Sequence, residues 1–296
     1  MRLLLFFVFC SGCAFAQSSL QDQIRSIAAE AKGKVSVACS LPGSALTGSA
    51  LNCDLNADSH PPMQSVFKLP LALTVLHRVE AGSLSLDQQV RFLPDDRILP
   101  HAYSPLQDKY PNANVDVPLR ELLRLTVALS DNVAADMLLR VVGGPAAVSE
   151  YIASLGVKGF HLQDGEHELH REVSAQYRNW FEPRGAIQLL RVISDSSALT
   201  KTDTELLLGW MEASMRTARL QGDLPQGTLV AHKAGTSDVD DGVAHATNDI
   251  GLVFLPDGRR LAIAVFITDS RADEARREAV IAKIGRAIYD AAMRRP

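Results

Sequence analysis

Pro62-Met63-Gln64-Ser65-Val66-Phe67-Lys68-Leu69 places a serine and a lysine three residues apart at the head of an apolar run. On a helix that spacing puts both side chains on one face, about one turn apart. A serine hydroxyl is a weak nucleophile until a neighbouring base takes its proton. Lys68 is a candidate for that base, or for the charge that tunes it, and a helix N-terminus favours developing negative charge. An N-cap serine followed by a surface lysine carries the same signature, so Ser-x-x-Lys needs support from elsewhere in the chain. Leu69, Leu71, Leu73, Val75 and Leu76 predict a helix over 65–81, buried on nearly all sides and ended by Gly82. Pro70 must then lie near its first turn, which agrees with Ser65 at the N-terminus.

Upstream, Ser18-Ser19 followed by Gln21 or Asp22 reads as a helix start. Leu20, Ile24, Ile27 and Ala31 share one face, and Gly33 closes that helix. Lys34 to Cys39 alternates as a strand, Pro42-Gly43 turns, and a second strand passes through Cys53-Asp54-Leu55. Cys39 and Cys53 therefore fall on one hairpin, where a disulfide and two free thiols both remain open.

Downstream, Pro118 opens a helix that Ser130-Asp131-Asn132 interrupts, and helices follow over 133–142 and 145–155. From Gln163 to Phe181 the apolar period vanishes, and a loop that long in a compact domain is functional or disordered. Helices near 183–193 and 203–215 lead to strands at 228–234, 250–255 and 260–268, the last two joined by Pro256-Asp257-Gly258. A terminal helix over 273–294 presents Ala275, Ala279, Ile281, Ala282, Ile284 and Ile288 as its packed face. This order predicts an α/β (α+β) fold, an antiparallel sheet flanked by N- and C-terminal helices. Residues 17–60 and 216–296 would form the α/β domain. An inserted all-α domain, 61–215, would carry Ser65, Ser130 and the Glu166 loop.

The 296 residues are 47% hydrophobic and 22% charged, with a net charge of −4. No basic face points to nucleic acid, and no stretch after the N-terminus is long and apolar enough to span a bilayer. Residues 1–16 read as a secretory signal peptide: Arg2, the apolar run Leu3 to Phe9, then Ala14-Phe15-Ala16 before Gln17. Export to the periplasm is the expectation. Cys13, after Cys10-Ser11-Gly12, faintly matches a lipoprotein site and makes a lipid anchor the second reading.

Four further features support Ser65 and Lys68, each with a plain alternative. Ser130-Asp131-Asn132 offers a hydroxyl to relay a proton and an amide to bind a carbonyl, or is only an N-cap turn. Glu166 offers a carboxylate to activate water, or is a solvated loop charge. His232-Lys233-Ala234-Gly235-Thr236 offers a carboxylate anchor, a close backbone approach and an oxyanion donor, or is an edge strand. Arg219 offers a second carboxylate anchor, or lies on the surface. His167 and His170 are three residues apart rather than four and lack a third ligand, so no metal is expected.

In this order, Ser-x-x-Lys, Ser-Asp-Asn, a loop glutamate and Lys-x-Gly resemble the class A serine β-lactamases and penicillin-binding proteins. The likeness covers essentially the whole mature chain and is strongest toward the PER-type extended-spectrum branch. Its carriers are Met63 to Leu69, Asp108-Lys109-Tyr110-Pro111, Ser130 to Val133, Gln176-Tyr177-Arg178-Asn179-Trp180 and Thr247-Asn248-Asp249-Ile250-Gly251. The resemblance implies a serine β-lactamase/transpeptidase-like fold with the site between the two domains. It implies that Ser65 attacks the lactam carbonyl and that the N–H groups of Ser65 and Thr236 hold the oxyanion. Lys68 and Glu166 would share the base role, Ser130 would pass a proton to the lactam nitrogen, and Glu166 would activate the deacylating water. Asn132 would hold the substrate amide, Lys233, Gly235, Thr236 and Arg219 would form the carboxylate side, and Tyr103 would stand at the mouth. No cofactor or metal is implied, the partners are small-molecule β-lactam substrates, and a monomer is the expectation.

Two positions depart from the family pattern. His170 stands where most relatives have the asparagine that helps hold the water. Ala234 stands where they carry Thr or Ser, which removes a hydroxyl from the carboxylate pocket and weakens binding by about 1 kcal/mol. Two other functions share the acylation chemistry: a D-alanyl-D-alanine carboxypeptidase and a non-hydrolysing β-lactam sensor. Glu166 separates the carboxypeptidase from a β-lactamase, because peptidases of that group lack this deacylating loop carboxylate; a sensor is normally tethered by a transmembrane segment, and none is expected after the signal stretch.

Overall fold

The computed structural model describes residues 19–41, 51–98, 102–169, 171–215 and 218–294. The signal stretch with Cys10 and Cys13, the Pro42-Gly43 turn and His170 lie outside the described residues. The chain runs α1 (Leu20–Ala28), β1 (Lys34–Ser40), α2 (Lys68–Glu80), β2 (Gln89–Phe92), α3 (Pro105–Lys109) and β3 (Val115–Pro118). It continues α4 (Leu119–Ala128), α5 (Asn132–Val142), α6 (Pro145–Ser154), β4 (Phe160–His161), α7 (Glu166–Leu169), β5 (Trp180–Phe181) and α8 (Pro183–Ser194). The last elements are α9 (Lys201–Glu212), β6 (Val230–Thr236), β7 (Val239–Asp240), β8 (Val243–Phe254), β9 (Arg260–Ser270) and α10 (Glu274–Met293).

Among the described residues, β1, β9, β8 and β6 form an antiparallel sheet in that order, with β7 paired to β8. The sheet is buried on both faces, and the side-chain period of two sorts its residues. Leu261, Ile263, Val265 and Ile267 of β9 meet Ile24 of α1 and Ile281, Ile284 and Ile288 of α10. Ala262, Ala264 and Phe266 of the same strand face the helices between β1 and β6. The expected fold class therefore holds: an antiparallel sheet, flanked by the terminal helices, with a helical layer on its other face.

Several local readings change. Ser65 lies in a tight 3-10 turn, Gln64–Phe67, and the α-helix begins only at Lys68. Pro70 is thus the third helical residue, where no intrahelical donor is needed. The first helix ends through Lys32, which takes the left-handed conformation at φ 49°. Gly33 is required for another reason: a Cβ there would sit 2.7 Å from the Thr268 carbonyl oxygen on β9. Pro118 caps α4 rather than opening it. Ala275 is exposed on α10, whose inner face includes Val280 and Tyr289 as well as the isoleucines. Cys39 and Cys53 are bridged, with Cα atoms 6.1 Å apart. Cys53 is not on a strand, and only Leu55 pairs with Val37 there. The ribbons β2–β3 and β4–β5 escaped the sequence because two to four residues carry no readable period.

Candidate active site

From Pro61 to Leu76 every residue is buried except Ser65, which is half-buried. Val66, Phe67 and Leu69 anchor the turn in the core and leave the serine hydroxyl as its one opening. Gln64, just before it, holds φ at 47°, a left-handed conformation that is strained in a non-glycine residue. Gly235 of β6 packs against this turn. A Cβ on it would lie 2.6 Å from the Met63 carbonyl oxygen and 3.3 Å from the Ser65 nitrogen. Only glycine lets the strand approach the Ser65 turn this closely.

Lys68 is fully buried and its Nζ is the hub. It lies 3.0 Å from Ser65 Oγ, 2.8 Å from Glu166 Oε1 and 2.5 Å from Asn132 Oδ1. It also reaches the Ser130 carbonyl at 2.8 Å and Ser130 Oγ at 3.4 Å. A lysine has three N–H donors, so these five acceptors share them. Ser130 itself holds φ at 55° between α4 and α5. Its hydroxyl accepts from Lys233 Nζ at 2.9 Å and so bridges the two lysines. Asp131 fixes this segment, accepting from Ser104 Oγ, Leu106 N and Ala134 N at 2.6–2.9 Å.

Glu166 opens the short helix α7 and is almost fully buried, with Oε1 3.4 Å from Ser65 Oγ. Its position is set by a residue the sequence reading missed. Asp136 accepts the Glu166 N–H on Oδ1 at 2.7 Å and the His167 N–H on Oδ2 at 2.8 Å. Burial, reinforced by the Glu166 charge, pushes its carboxyl up to about 7. One turn of α5 separates Asp136 from Asn132, so one helix face holds both the lysine hub and the glutamate loop. The available signal was a lone acid in the apolar run Val133-Ala134-Ala135-Asp136-Met137-Leu138. Gly165 leaves room for this clamp, since a Cβ there would lie 2.5 Å from Asp136 Oδ1.

Several contacts hold the long polar loop at its described residues. At its neck, Asn179 Oδ1 accepts from Gln163 N at 2.8 Å and Asp164 N at 3.0 Å, and Arg178 Nε donates to Asp164 at 2.6 Å. Gln64 donates to Gln176 at 2.5 Å and ties the loop to the Ser65 turn.

Across the cleft, Lys233 Nζ also donates to the Ala234 carbonyl at 3.0 Å. Burial, with Lys68 nearby, holds its ammonium down to about 7, against the opposing pull of Asp249 and Glu166. Arg219 is not on the surface. It is buried behind β6, donating to the Gly235 and Asn248 carbonyls and to Glu278. Its remaining arm reaches Thr236 Oγ1 at 2.8 Å, so it meets the cleft through the exposed Thr236 hydroxyl. Behind the strand, His232 and Asp249 form a buried pair at 2.9 Å. Tyr103 stands at the rim, its hydroxyl 3.6 Å from Met215 Sδ. The cleft holds about 530 Å³ and is lined by Ser65, Tyr103, Ser130, Asn132, Lys233, Ala234 and Thr236, among others. Among the described residues, no three His, Cys, Asp or Glu side chains converge as a metal set.

The arrangement is a serine hydroxyl in contact with a lysine and a carboxylate, facing a cationic wall. Its comparisons with known proteins agree in kind. The beta-lactamase enzyme family matches residues 19–292. Extended-spectrum beta-lactamase PER-1 of Pseudomonas aeruginosa is 42% identical, over 77% of this chain and 74% of its own. A beta-lactamase of Bacteroides uniformis is 37% identical, over 80% of each chain. The crystal structure of a beta-lactamase from Chitinophaga pinensis superposes with a TM-score of 0.85 at 43% identity, covering 93% of this chain and all of that one. That of the TLA-1 extended-spectrum beta-lactamase gives 0.87 at 38% identity, covering 93% and 98%. The chain belongs to the beta-lactamase enzyme family, within class A, and is a hydrolase of the β-lactam amide.

Proposed function

We propose that this chain is an exported enzyme that opens penicillins and cephalosporins through a Ser65 acyl-enzyme and clears that intermediate with a water activated by Glu166. The observation that carries the reading is Lys68 Nζ, within hydrogen-bond reach of Ser65, Glu166, Ser130 and Asn132 at once. Ser65 Oγ attacks the lactam carbonyl as its proton passes to the Lys68–Glu166 pair. The N–H groups of Ser65 and Thr236 take the oxyanion, and the ring C–N bond breaks. Ser130, bridging the two lysines, delivers a proton to the departing nitrogen. Ser130 is reprotonated through Lys68, which frees Glu166 as a base. Glu166 then takes a proton from water, the hydroxide attacks the ester carbonyl, the ester C–O bond to Ser65 breaks, and the proton returns to Ser65 Oγ. Asn132 holds the substrate amide, and Lys233 and Thr236 hold the carboxylate with Arg219 acting through Thr236.

Cephalosporins with bulky side chains belong to the proposed range, because the PER-1 and TLA-1 relatives are named for an extended spectrum. Export is supported by Arg2, the apolar run to Phe9 and Ala14-Phe15-Ala16, and the Cys39–Cys53 bridge suits an oxidising compartment. We place the mature enzyme in the periplasm as a monomer.

Glu166→Gln tests the division of labour. The variant should still be acylated by a chromogenic cephalosporin and should accumulate a mass-shifted acyl-enzyme, with turnover reduced by about 10²-fold or more. Unimpaired deacylation would refute the role given to Glu166. Stable acylation of the wild-type chain would point to a carboxypeptidase or a sensor.

A further inference from the structure

Beyond the neck, the Asp136 clamp and the Gln64–Gln176 contact, the loop is also tied to the sheet at a point that the reaction does not use. Tyr177 lies in the 3-10 turn Val173–Arg178. Its hydroxyl bonds to Asp269 Oδ1 and lies 2.6 Å from His245 Nδ1, with the two rings edge to face at 5.7 Å. A carboxylate only accepts, so the phenol proton goes to Asp269 and the phenol oxygen accepts from His245 Nδ1–H. Burial and this bond to Asp269 raise the Tyr177 phenol above its ordinary value, so the donor persists through neutral pH. That tautomer leaves His245 Nε2 buried without a partner.

The sheet is deformed where it receives this contact. The β8–β9 ladder pairs Ala244 with Ser270 and Ala246 with Thr268 but skips the residues between. Asp269 there holds φ at 53°, strained for a non-glycine residue. Lys34 of β1 flanks it at 3.5 Å. Strain kept at a contact between two elements is a reason to look for function there.

The place of the contact in the cleft says which function. Lys233, with Arg219 behind Thr236, makes one end of the cleft cationic, and the Ser130 and Thr236 hydroxyls lie beside them, so a substrate carboxylate takes that end. The acyl side chain then runs the other way, between Val173 and Gln176 on the loop and Ser237, Asp240 and His245 on the sheet side, all of which line the cleft. We propose that Tyr177, His245 and Asp269 form a latch that fixes the width of this slot and thereby sets which acyl side chains the enzyme accepts. The three are positioning residues, and the proposal rests on the Ser65 acyl-enzyme reading above.

The test compares benzylpenicillin with ceftazidime, a cephalosporin carrying a branched oxyimino side chain, on the wild type, Tyr177→Phe and Asp269→Asn. Tyr177→Phe keeps the ring and removes the hydroxyl. It should raise KM for ceftazidime by ~10-fold, the scale of one hydrogen bond to a charged group, and move benzylpenicillin by no more than about 2-fold. Asp269→Asn keeps an acceptor and tolerates the left-handed backbone, so it should retain the wild-type ratio. Equal changes on both substrates, or a lowered Tm with an unchanged ratio, would overturn the latch. A wild type active on benzylpenicillin alone would overturn it as well. A wild type that turns over neither substrate would instead bring down the acyl-enzyme reading, and the latch with it.

Discussion

Lys233 shows what a single side chain contributes. Its buried ammonium, beside Lys68, titrates near 7 rather than in the usual lysine range. In the free enzyme the charge is present below about pH 7 and lost above it. A neutral amine attracts a substrate carboxylate less, so kcat/KM for a penicillin should fall as pH rises through about 7. The kcat should vary less there, because a bound carboxylate favours the protonated form. Initial-rate profiles from pH 5 to 9 check this, and a flat alkaline limb would refute it. The linkage has a definite sign. Below about pH 7 both folded and unfolded chains carry the proton. Between there and the ordinary lysine value the unfolded chain binds more protons, so this group's contribution to stability grows with pH. Lys233 was legible from Lys-x-Gly. Asp136 was not, because an acid in an apolar run has no meaning until the loop it clamps is in place.

At the level of elements, β6 and α5 carry the site. Gly235 is the point where strand and nucleophile turn touch, with 2.6 Å from a Cβ to the Met63 carbonyl oxygen. Gly235→Ala must push β6 outward and carry the Thr236 N–H with it. Removing one oxyanion donor costs about 10²–10³-fold, and kcat/KM should fall by about 10²-fold even where circular dichroism shows a folded protein. An unaltered kcat/KM would mean the strand does not supply the donor. The helix α2 was readable from its apolar run, yet its first turn was not. The strained Gln64 and the 3-10 turn sit where Gly235 of β6 and Gln176 of the loop contact this segment, and local propensity contains neither contact.

For the molecule as a whole, the two faces of one sheet separate stability from chemistry. The Cys39–Cys53 bridge lies in the core shared with α1 and α10, while the cleft opens on the helical side. The bridge spans a separation of 14 residues, for which loop-closure entropy gives about 3 kcal/mol. Reduction or Cys39→Ser/Cys53→Ser should therefore lower stability by about that amount while leaving kcat at 25 °C close to wild type. Urea melts with and without reductant measure the first, and a matching loss of kcat in the folded protein would contradict the second.

By itself the sequence missed Asp136 and the short ribbons, but it determined the types of the longer elements, the burial of α2 and the sheet strands, and most of the residues with chemistry to offer. Those follow from periodicity and residue type, which depend on near neighbours. Only the tertiary structure decided that Lys68 touches Ser65, Ser130, Asn132 and Glu166, that Arg219 works from behind β6, and that Asp136 and Tyr177 hold the loop. These contacts join residues far apart in the chain, and their distances depend on how the layers dock. Glycine clearances and strained backbone at the seams set that docking, and no local pattern encodes it.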